Sequence, residues 1–268
     1  MPTQLETILA HTRAEVDQRR KTADLRLLEQ RAAAHQPRGF EAALRRASQS
    51  GPAVIAELKK ASPSRGLIRS DFDPPALAKS LETSGAAALS VLTDEKYFQG
   101  SLQYLEQASA AVTIPCLRKD FMFDEFQMLE ARASRADAVL LIVAALKDER
   151  LAALRDEAIR LGLDVLCEVH DHEELKRAVD LGFAMIGVNS RNLHTMQVQP
   201  ETQLELGALL PQSAVRVAES GLRTPADISR MSAAGYTAFL VGESIMREPD
   251  PAQALAALLK PEPAPVLR

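Results

Sequence analysis

The sequence has 268 residues, of which 46% are hydrophobic and 25% charged, a composition typical of globular proteins. Its net charge of −4 arises from 32 basic and 36 acidic residues mixed along the chain, so no nucleic-acid-binding surface is predicted. The longest apolar run, 138–146, is too short to span a bilayer, and the N-terminus lacks an apolar signal core. Cys116 and Cys167 lie in apolar runs and are expected to be core thiols. We therefore expect no membrane association and a cytoplasmic location.

The first 50 residues predict an added helical segment. Residues 5–20 and 40–48 have the apolar spacing of amphipathic helices. The stretch between them is rich in Ala, His, Gln and Pro, and we interpret it as a connection. This segment is expected to pack on the domain that follows.

From residue 51 onward, short apolar runs alternate with amphipathic helical stretches. The predicted strands are 53–58, 87–92, 114–119, 138–143, 164–169, 184–189, 214–219 and 238–243. Near-continuous apolar strands separated by helices indicate a parallel sheet covered on both faces. Eight such units, with no Gly-rich dinucleotide motif after the first strand, predict an α/β protein with a (β/α)₈ TIM barrel. We expect one domain, comprising a helical extension (1–50), a barrel (51–260) and a tail (261–268).

Charged side chains stand at the ends of several predicted strands. Glu57 and Lys59 end the first strand, Lys119 the third and Glu168 the fifth. The carboxyl ends of barrel strands build the active site of this fold, and alternation places Glu57 and Lys59 on one face. For any one of these residues, a structural ion pair is the alternative. Four such residues in one cavity favour general acid–base catalysis.

The loops after the seventh and eighth predicted strands indicate a phosphate site. Ser220 and Gly221 follow the seventh strand, and Gly242 and Glu243 end the eighth. Glycine allows backbone amides to approach an anion closely, and these loops usually bind phosphate in barrels. The alternative is that both glycines only form tight turns.

His170 and His172 lie beside Glu168, which raises the possibility of a metal site. We predict no metal, because the spacing supplies no third ligand and Asp171 is a natural helix N-cap. Three further histidines are expected at the surface, namely His11, His35 and His194.

Seven segments together resemble the indole-3-glycerol-phosphate synthase family. In chain order they are AELKKASPSRG, LSVLTDEKYFQGS, LRKDF, CEVHD, IGVNSRNL, VAESGL and FLVGESIM. The SPS loop, TDEKYFQGS and NSRNL are specific to the family, whereas ESG and VGES also occur in other phosphate-binding barrels. The resemblance extends from about residue 5 to residue 260, and the family also has helices before its first strand.

The resemblance implies a chemical reaction without a cofactor. The family closes the indole ring of 1-(2-carboxyphenylamino)-1-deoxyribulose 5-phosphate and releases CO₂ and water. By similarity, Lys119 protonates the carbonyl oxygen, while Glu168 and Glu57 take part in the proton transfers. Lys59 resembles a phosphate and hydroxyl contact and is an alternative acid for the dehydration.

The resemblance also implies binding roles for the remaining residues. Ser62 and Arg191 resemble partners of the anthranilate carboxylate. The polar residues expected around the ribulose hydroxyls and the reacting ring are Asn189, which we also count as catalytic, Ser90 and Glu219. Ser220, Gly221, Gly242 and Glu243 match the phosphate loops, and the Glu243 side chain is expected to point away from phosphate. The expected partner is a small phosphorylated substrate, bound by a monomer or weak homodimer.

Two alternatives remain at this point. Another phosphate-handling barrel, such as a phosphoribosylanthranilate isomerase or a tryptophan synthase α-subunit, would share the last two loops. Neither explains the four charged strand-end residues together with a helical prefix. A regulatory barrel that binds a phosphorylated metabolite without turnover is the non-enzyme alternative, and the intact acid and base residues argue against it.

Overall fold

The computed structural model describes residues 3–191 and 197–260. Eight parallel strands close into a barrel, and a small antiparallel hairpin formed by β2 and β3 follows the first of them. The strands are β1 (Ala53–Leu58), β2 (Ala61–Ser62), β3 (Gly66–Leu67), β4 (Ala88–Leu92), β5 (Cys116–Lys119), β6 (Ala138–Ile142), β7 (Asp164–Val169), β8 (Met185–Asn189), β9 (Val215–Glu219) and β10 (Ala238–Val241). The predicted (β/α)₈ barrel is therefore confirmed.

Helices surround the barrel and precede it. They are α1 (Gln4–Thr22), α2 (Leu25–Ala34), α3 (Phe40–Ala47), α4 (Pro74–Thr83), α5 (Glu95–Phe98), α6 (Leu102–Ala111), α7 (Glu125–Ala133), α8 (Asp148–Arg160), α9 (His172–Asp180), α10 (Pro200–Gly207), α11 (Pro225–Ala233), α12 (Glu243–Met246) and α13 (Pro251–Leu258). Among these helices, none is long and apolar enough to cross a bilayer.

The predicted strand positions agree closely with the structure. Strands β1 and β7 have the predicted bounds, and the other six barrel strands are one or two residues shorter. The last strand ends at Val241 because Glu243 already begins α12, with Gly242 as its N-cap. The parallel register pairs Glu57 with Ser90 and Asn189 with Glu219, so polar residues of neighbouring strands meet at the carboxyl end of the barrel.

The predicted connection between the first two amphipathic helices is wrong, because most of it forms α2. This run, LRLLEQRAAA, consists of good helix formers, and Asp24 caps it by accepting a hydrogen bond from the Leu27 amide. Helix α2 packs on α7 of the barrel. Phe40 and Leu44 of α3 are fully buried and join the apolar side chains of the strand interiors, which couples the extension to the barrel core.

His35 is buried, which corrects the expected surface position. Its Nε2 lies 3.2 Å from Asp137 Oδ1, and the Arg38 side chain donates to both Asp137 oxygens. Burial alone would raise the pKa of Asp137, but His35 and Arg38 lower it below its ordinary value. A buried carboxylate requires such partners. His11 is partly exposed, whereas His194 and the predicted tail 261–268 lie outside the described residues.

Both cysteines are core thiols, as predicted. Cys116 on β5 and Cys167 on β7 are free and have no exposed surface. Burial raises the pKa of the Cys116 thiol to about 12, so it stays protonated and unreactive at neutral pH.

Candidate active site

A cavity of about 510 Å³ lies at the carboxyl ends of the barrel strands. This volume suits a small organic substrate. Twelve of the thirteen predicted site residues line it, namely Glu57, Lys59, Ser62, Lys119, Glu168, Asn189, Arg191, Glu219, Ser220, Gly221, Gly242 and Glu243. Side chains from separate strands and loops thus meet at one site, as the strand-end analysis predicts.

Lys119 lies between two buried carboxylates. Its Nζ donates to Glu168 Oε2 at 2.8 Å and to Glu219 Oε2 at 3.0 Å. The three side chains come from β5, β7 and β9, whose carboxyl ends face the same cavity. One largely buried ammonium group is thereby shared by two buried carboxylates.

The electrostatic environment gives the three groups different charge states. Burial would lower the pKa of Lys119, but Glu168 and Glu219 raise it above its ordinary value. Burial would raise the pKa of Glu168, but the charge of Lys119 lowers it well below its usual range. For Glu219, burial dominates and the Glu168 charge adds to it, so its pKa rises to about 8. The environment therefore favours the charged forms of Lys119 and Glu168 and the protonated form of Glu219.

Glu57 and Lys59 form a second charged pair on the cavity wall. Lys59 Nζ contacts Glu57 Oε1, and Glu57 is almost fully buried. Ser90 does not line the cavity, although it was expected near the ribulose hydroxyls. Its Oγ donates to Glu57 Oε2 at 3.3 Å from the neighbouring strand, with which Glu57 is in register. Ser90 therefore contacts a site carboxylate and has no surface of its own in the cavity.

The loop after β9 has an unusual backbone. Ser220 and Gly221 both have positive φ, +69° and +77°, a region that favours glycine and strains other residues. Ser220 Oγ donates to Asn189 Oδ1 at 2.8 Å, and the Arg191 amide donates to the same oxygen at 3.0 Å. These bonds join the loops after β8 and β9 on one side of the cavity.

The Glu243 carboxylate lies among three guanidinium groups. Arg65 Nε is 3.2 Å from Oε1, Arg247 Nη1 is 3.6 Å from Oε1, and Arg191 Nη2 is 3.4 Å from Oε2. Glu243 lines the cavity, and the expected orientation of its side chain away from phosphate stays a prediction. The arginines compensate its charge, which explains how a carboxylate is accommodated there.

Several cavity residues were missed by the sequence analysis. Three belong to α1, namely Gln4, Leu5 and Ile8. Phe98 and Phe121 supply aromatic surface, with ring centroids 6.3 Å apart. Phe98 lies in the TDEKYFQGS motif, which was a usable signal. No local pattern predicted that α1 would line the cavity, because the apolar stripe of a helix does not reveal which surface the helix will cover.

Asp94 is a further missed residue of the cavity wall. Its Oδ1 accepts hydrogen bonds from the Tyr97 and Phe98 amides and so caps α5. Burial, with a contribution from the Asp120 charge, raises the pKa of Asp94 to about 6.

The HDH segment forms a helix start, as predicted. Asp171 caps α9 by accepting a hydrogen bond from the Glu174 amide at 2.9 Å. Across residues 3–191 and 197–260, no three His, Cys, Asp or Glu side chains are grouped so that they could hold a metal ion. His170 instead contacts Glu168 and Glu174.

Comparison with known proteins agrees with this geometry. The family model described as indole-3-glycerol phosphate synthase matches residues 5–258. A protein of that name from Koribacter versatilis (strain Ellin345) is 58% identical over 259 residues, which cover 97% of this chain and 100% of the relative. Another from Azospirillum brasilense is 52% identical over 257 residues, covering 95% and 98%.

Solved structures also match the fold. A mandelate oxidase mutant with an FMN adduct has a TM-score of 0.59 and 19% identity, covering 78% of this chain and 71% of the oxidase. At that identity, the likeness concerns the barrel fold alone.

Proposed function

Because the chain belongs to the indole-3-glycerol phosphate synthase family, we propose that the Lys119–Glu168–Glu219 cluster and the Glu57–Lys59 pair perform the reaction of that family. The enzyme is a carboxy-lyase of tryptophan biosynthesis. It converts 1-(2-carboxyphenylamino)-1-deoxyribulose 5-phosphate into indole-3-glycerol phosphate, CO₂ and water. The observation that carries the residue assignment is the position of the Lys119 ammonium between two buried carboxylates in the cavity.

Ring closure needs an electrophilic carbonyl carbon, and this carbon becomes more reactive when its oxygen is polarised. The Lys119 ammonium, whose raised pKa keeps it protonated, polarises this oxygen while the aromatic carbon attacks. Loss of CO₂ from that carbon then restores the aromatic ring. Glu168 remains ionised beside Lys119, so it is a ready proton acceptor in the later steps.

Dehydration needs an acid for the departing hydroxyl group and a base for the neighbouring proton. The Glu57–Lys59 pair supplies one group of each kind on β1 and the residue after it. We assign the acid to Lys59 and a supporting proton-transfer role to Glu57, held by Ser90. Asn189 binds the substrate hydroxyls beside Ser220.

The substrate's two anionic groups are assigned to different residues of the cavity wall. We assign the phosphate to the backbone at Gly221 and Gly242 with help from Arg65 and Arg247, which contact Glu243, and the anthranilate carboxylate to Ser62 and Arg191. The rings of Phe98 and Phe121 supply apolar surface for the aromatic part of the substrate.

The decisive test is turnover of the carboxyphenylamino substrate, followed by the fluorescence of the indole product. We expect the wild type to be active and Lys119→Met to lose at least about a hundredfold in kcat, the lower range for removing a general acid. Lys79→Met is the matched control, because Lys79 is exposed on α4. If a folded Lys119→Met protein kept a near-normal kcat, Lys59 would be the better candidate for the acid in ring closure.

We further propose one domain spanning the extension and the barrel, in the cytoplasm, as a monomer or weak homodimer. The burial of Phe40 and Leu44 among barrel residues supports the first proposal, because α3 has no separate core. The two buried free thiols fit a reducing compartment. Light scattering at several protein concentrations tests the oligomeric state.

A further inference from the structure

His170 lies immediately after β7, and its ring is placed between two carboxylates. Nε2 is 3.3 Å from Glu168 Oε1, and Nδ1 is 3.0 Å from Glu174 Oε2 on α9. The His170 amide donates to the same Glu174 oxygen at 2.8 Å, which fixes the backbone beside the ring. His170 is not among the described residues that line the candidate active-site cavity, and its contact with that cavity's charged groups is the one to Glu168.

Glu168 is therefore held from two sides. Its Oε2 accepts a hydrogen bond from Lys119, while its Oε1 faces His170. We propose that His170 is a positioning residue that keeps Glu168 ionised and correctly oriented, and thereby extends the activity of this site toward acidic pH. This inference rests on the proposed role of Glu168 as a proton acceptor.

The charges around His170 support the imidazolium form. Burial would lower the pKa of His170, but Glu168 and Glu174 raise it to about 10. The other titratable or charged groups that face this cluster from the surrounding elements are Lys119, Glu219, Asp171, His172 and Glu205. The positive end of α9 disfavours an imidazolium, but two carboxylates in contact outweigh it.

The count of charges in this cluster explains why the imidazolium is needed. Lys119 and His170 supply two positive charges, and Glu168 and Glu174 supply two negative charges. Burial and the Glu168 charge raise the pKa of Glu219, which favours its protonated form and limits the negative charge of the group. Removing the His170 charge leaves an excess negative charge, and Glu168 would then take up a proton at a higher pH than before.

The test is the pH profile of kcat in His170→Gln, measured on the full chain with the carboxyphenylamino substrate. We expect the acidic limb to move up by about one pH unit, the effect of losing one close opposite charge. Activity at the acidic end should fall about tenfold relative to activity near pH 8, while KM changes little. His172→Gln is the matched control, because His172 is an exposed histidine of the same segment. An unchanged profile in folded His170→Gln, or an equal shift in His172→Gln, would overturn the proposal.

A second measurement does not depend on turnover or on the variant's folding. In the ¹⁵N spectrum of wild-type protein with labelled histidine, both ring nitrogens of His170 should remain protonated up to about pH 9. A neutral ring at pH 7 would contradict the positioning role even if the enzyme is active. If the spectrum shows a charged His170 but the protein does not turn over the substrate, the proposed function is refuted. The charge state of the His170 ring is then still established.

Discussion

The Glu57 carboxylate occupies the space that a side chain at Gly242 would need. A Cβ added at Gly242 would lie 2.6 Å from Glu57 Oε1 and 2.8 Å from Glu57 Cβ. Glu57 is nearly fully buried and has little room to move. The absence of a side chain at Gly242 therefore leaves room for Glu57, besides the proposed place of Gly242 in the phosphate loop.

We expect Gly242→Ala to displace Glu57 and to lower kcat about tenfold or more, because a small misplacement of a catalytic group is costly. Steady-state kinetics would measure this, with Gly51→Ala as control. Gly51 precedes β1, and an added Cβ there meets nothing within 4 Å. If Gly242→Ala instead raised KM and left kcat normal, the role of Gly242 would be phosphate binding alone.

The sequence predicted most of the site because barrel geometry places strand ends together. Lys119 and Glu168 are far apart in the chain, yet both were identified by their position at the end of an apolar run. Alternation correctly placed Glu57 and Lys59 side by side. These inferences need only the period of a strand and the closure of the barrel.

Local pattern was insufficient where a distant partner decides the outcome. His35 lies in a polar segment, and only Asp137, 102 positions away, makes its burial favourable. Ser90 lies at the expected position on β4, but its hydroxyl donates to Glu57 and does not line the cavity. Glu243 also contacts Arg65 and Arg191 from two other loops, and no spacing along the chain reveals these contacts.

Gly221 has a backbone conformation that other residues adopt only with strain. Its φ is +77°, and an added Cβ would lie 2.9 Å from Val198 Cγ1. We expect Gly221→Ala to raise KM more than it lowers kcat, because binding of the remote phosphate is largely uniform. Stability should also fall by about 1 kcal/mol from the left-handed backbone.

The Gly182→Ala variant separates the loss of stability from the change in KM. Gly182 has a similar φ of +74°, but an added Cβ there meets nothing within 4 Å, and it lies outside the cavity wall. It should show the loss of stability with normal KM. If both variants have the same KM, Gly221 is not part of the phosphate site.

Glu243 should weaken substrate binding, because its carboxylate competes with phosphate for Arg65 and Arg247. We expect Glu243→Gln to lower KM severalfold at low ionic strength with little change in kcat, and the effect should shrink as salt screens the charges. Glu201→Gln on α10 is the matched control, since it removes the same charge from an exposed position. A higher KM in Glu243→Gln would show instead that this carboxylate holds the arginines in their binding positions.

Asp94 makes stability depend on pH in a predictable direction. The residue is 4% exposed, and burial raises the pKa of its carboxyl group from an ordinary value of 3.8 to about 6 in the folded protein. The folded state therefore binds this proton more tightly than the unfolded chain does. The stability that the proton contributes is fully present below about pH 4 and is lost as the pH rises through about 6.

Asp94→Asn removes the charge and keeps an oxygen that can accept the Tyr97 and Phe98 amides. At pH 7.5, we expect the variant to be about 1–3 kcal/mol more stable than the wild type, and near pH 4 the two should be similar. Urea unfolding at several pH values measures this difference. Asp73→Asn is the control, because Asp73 caps α4 from an exposed position and so lacks the burial that Asp94 has. If the gain for Asp94→Asn did not grow between pH 4 and 6, or if the variant were less stable at pH 7.5, burial would not control the charge of Asp94.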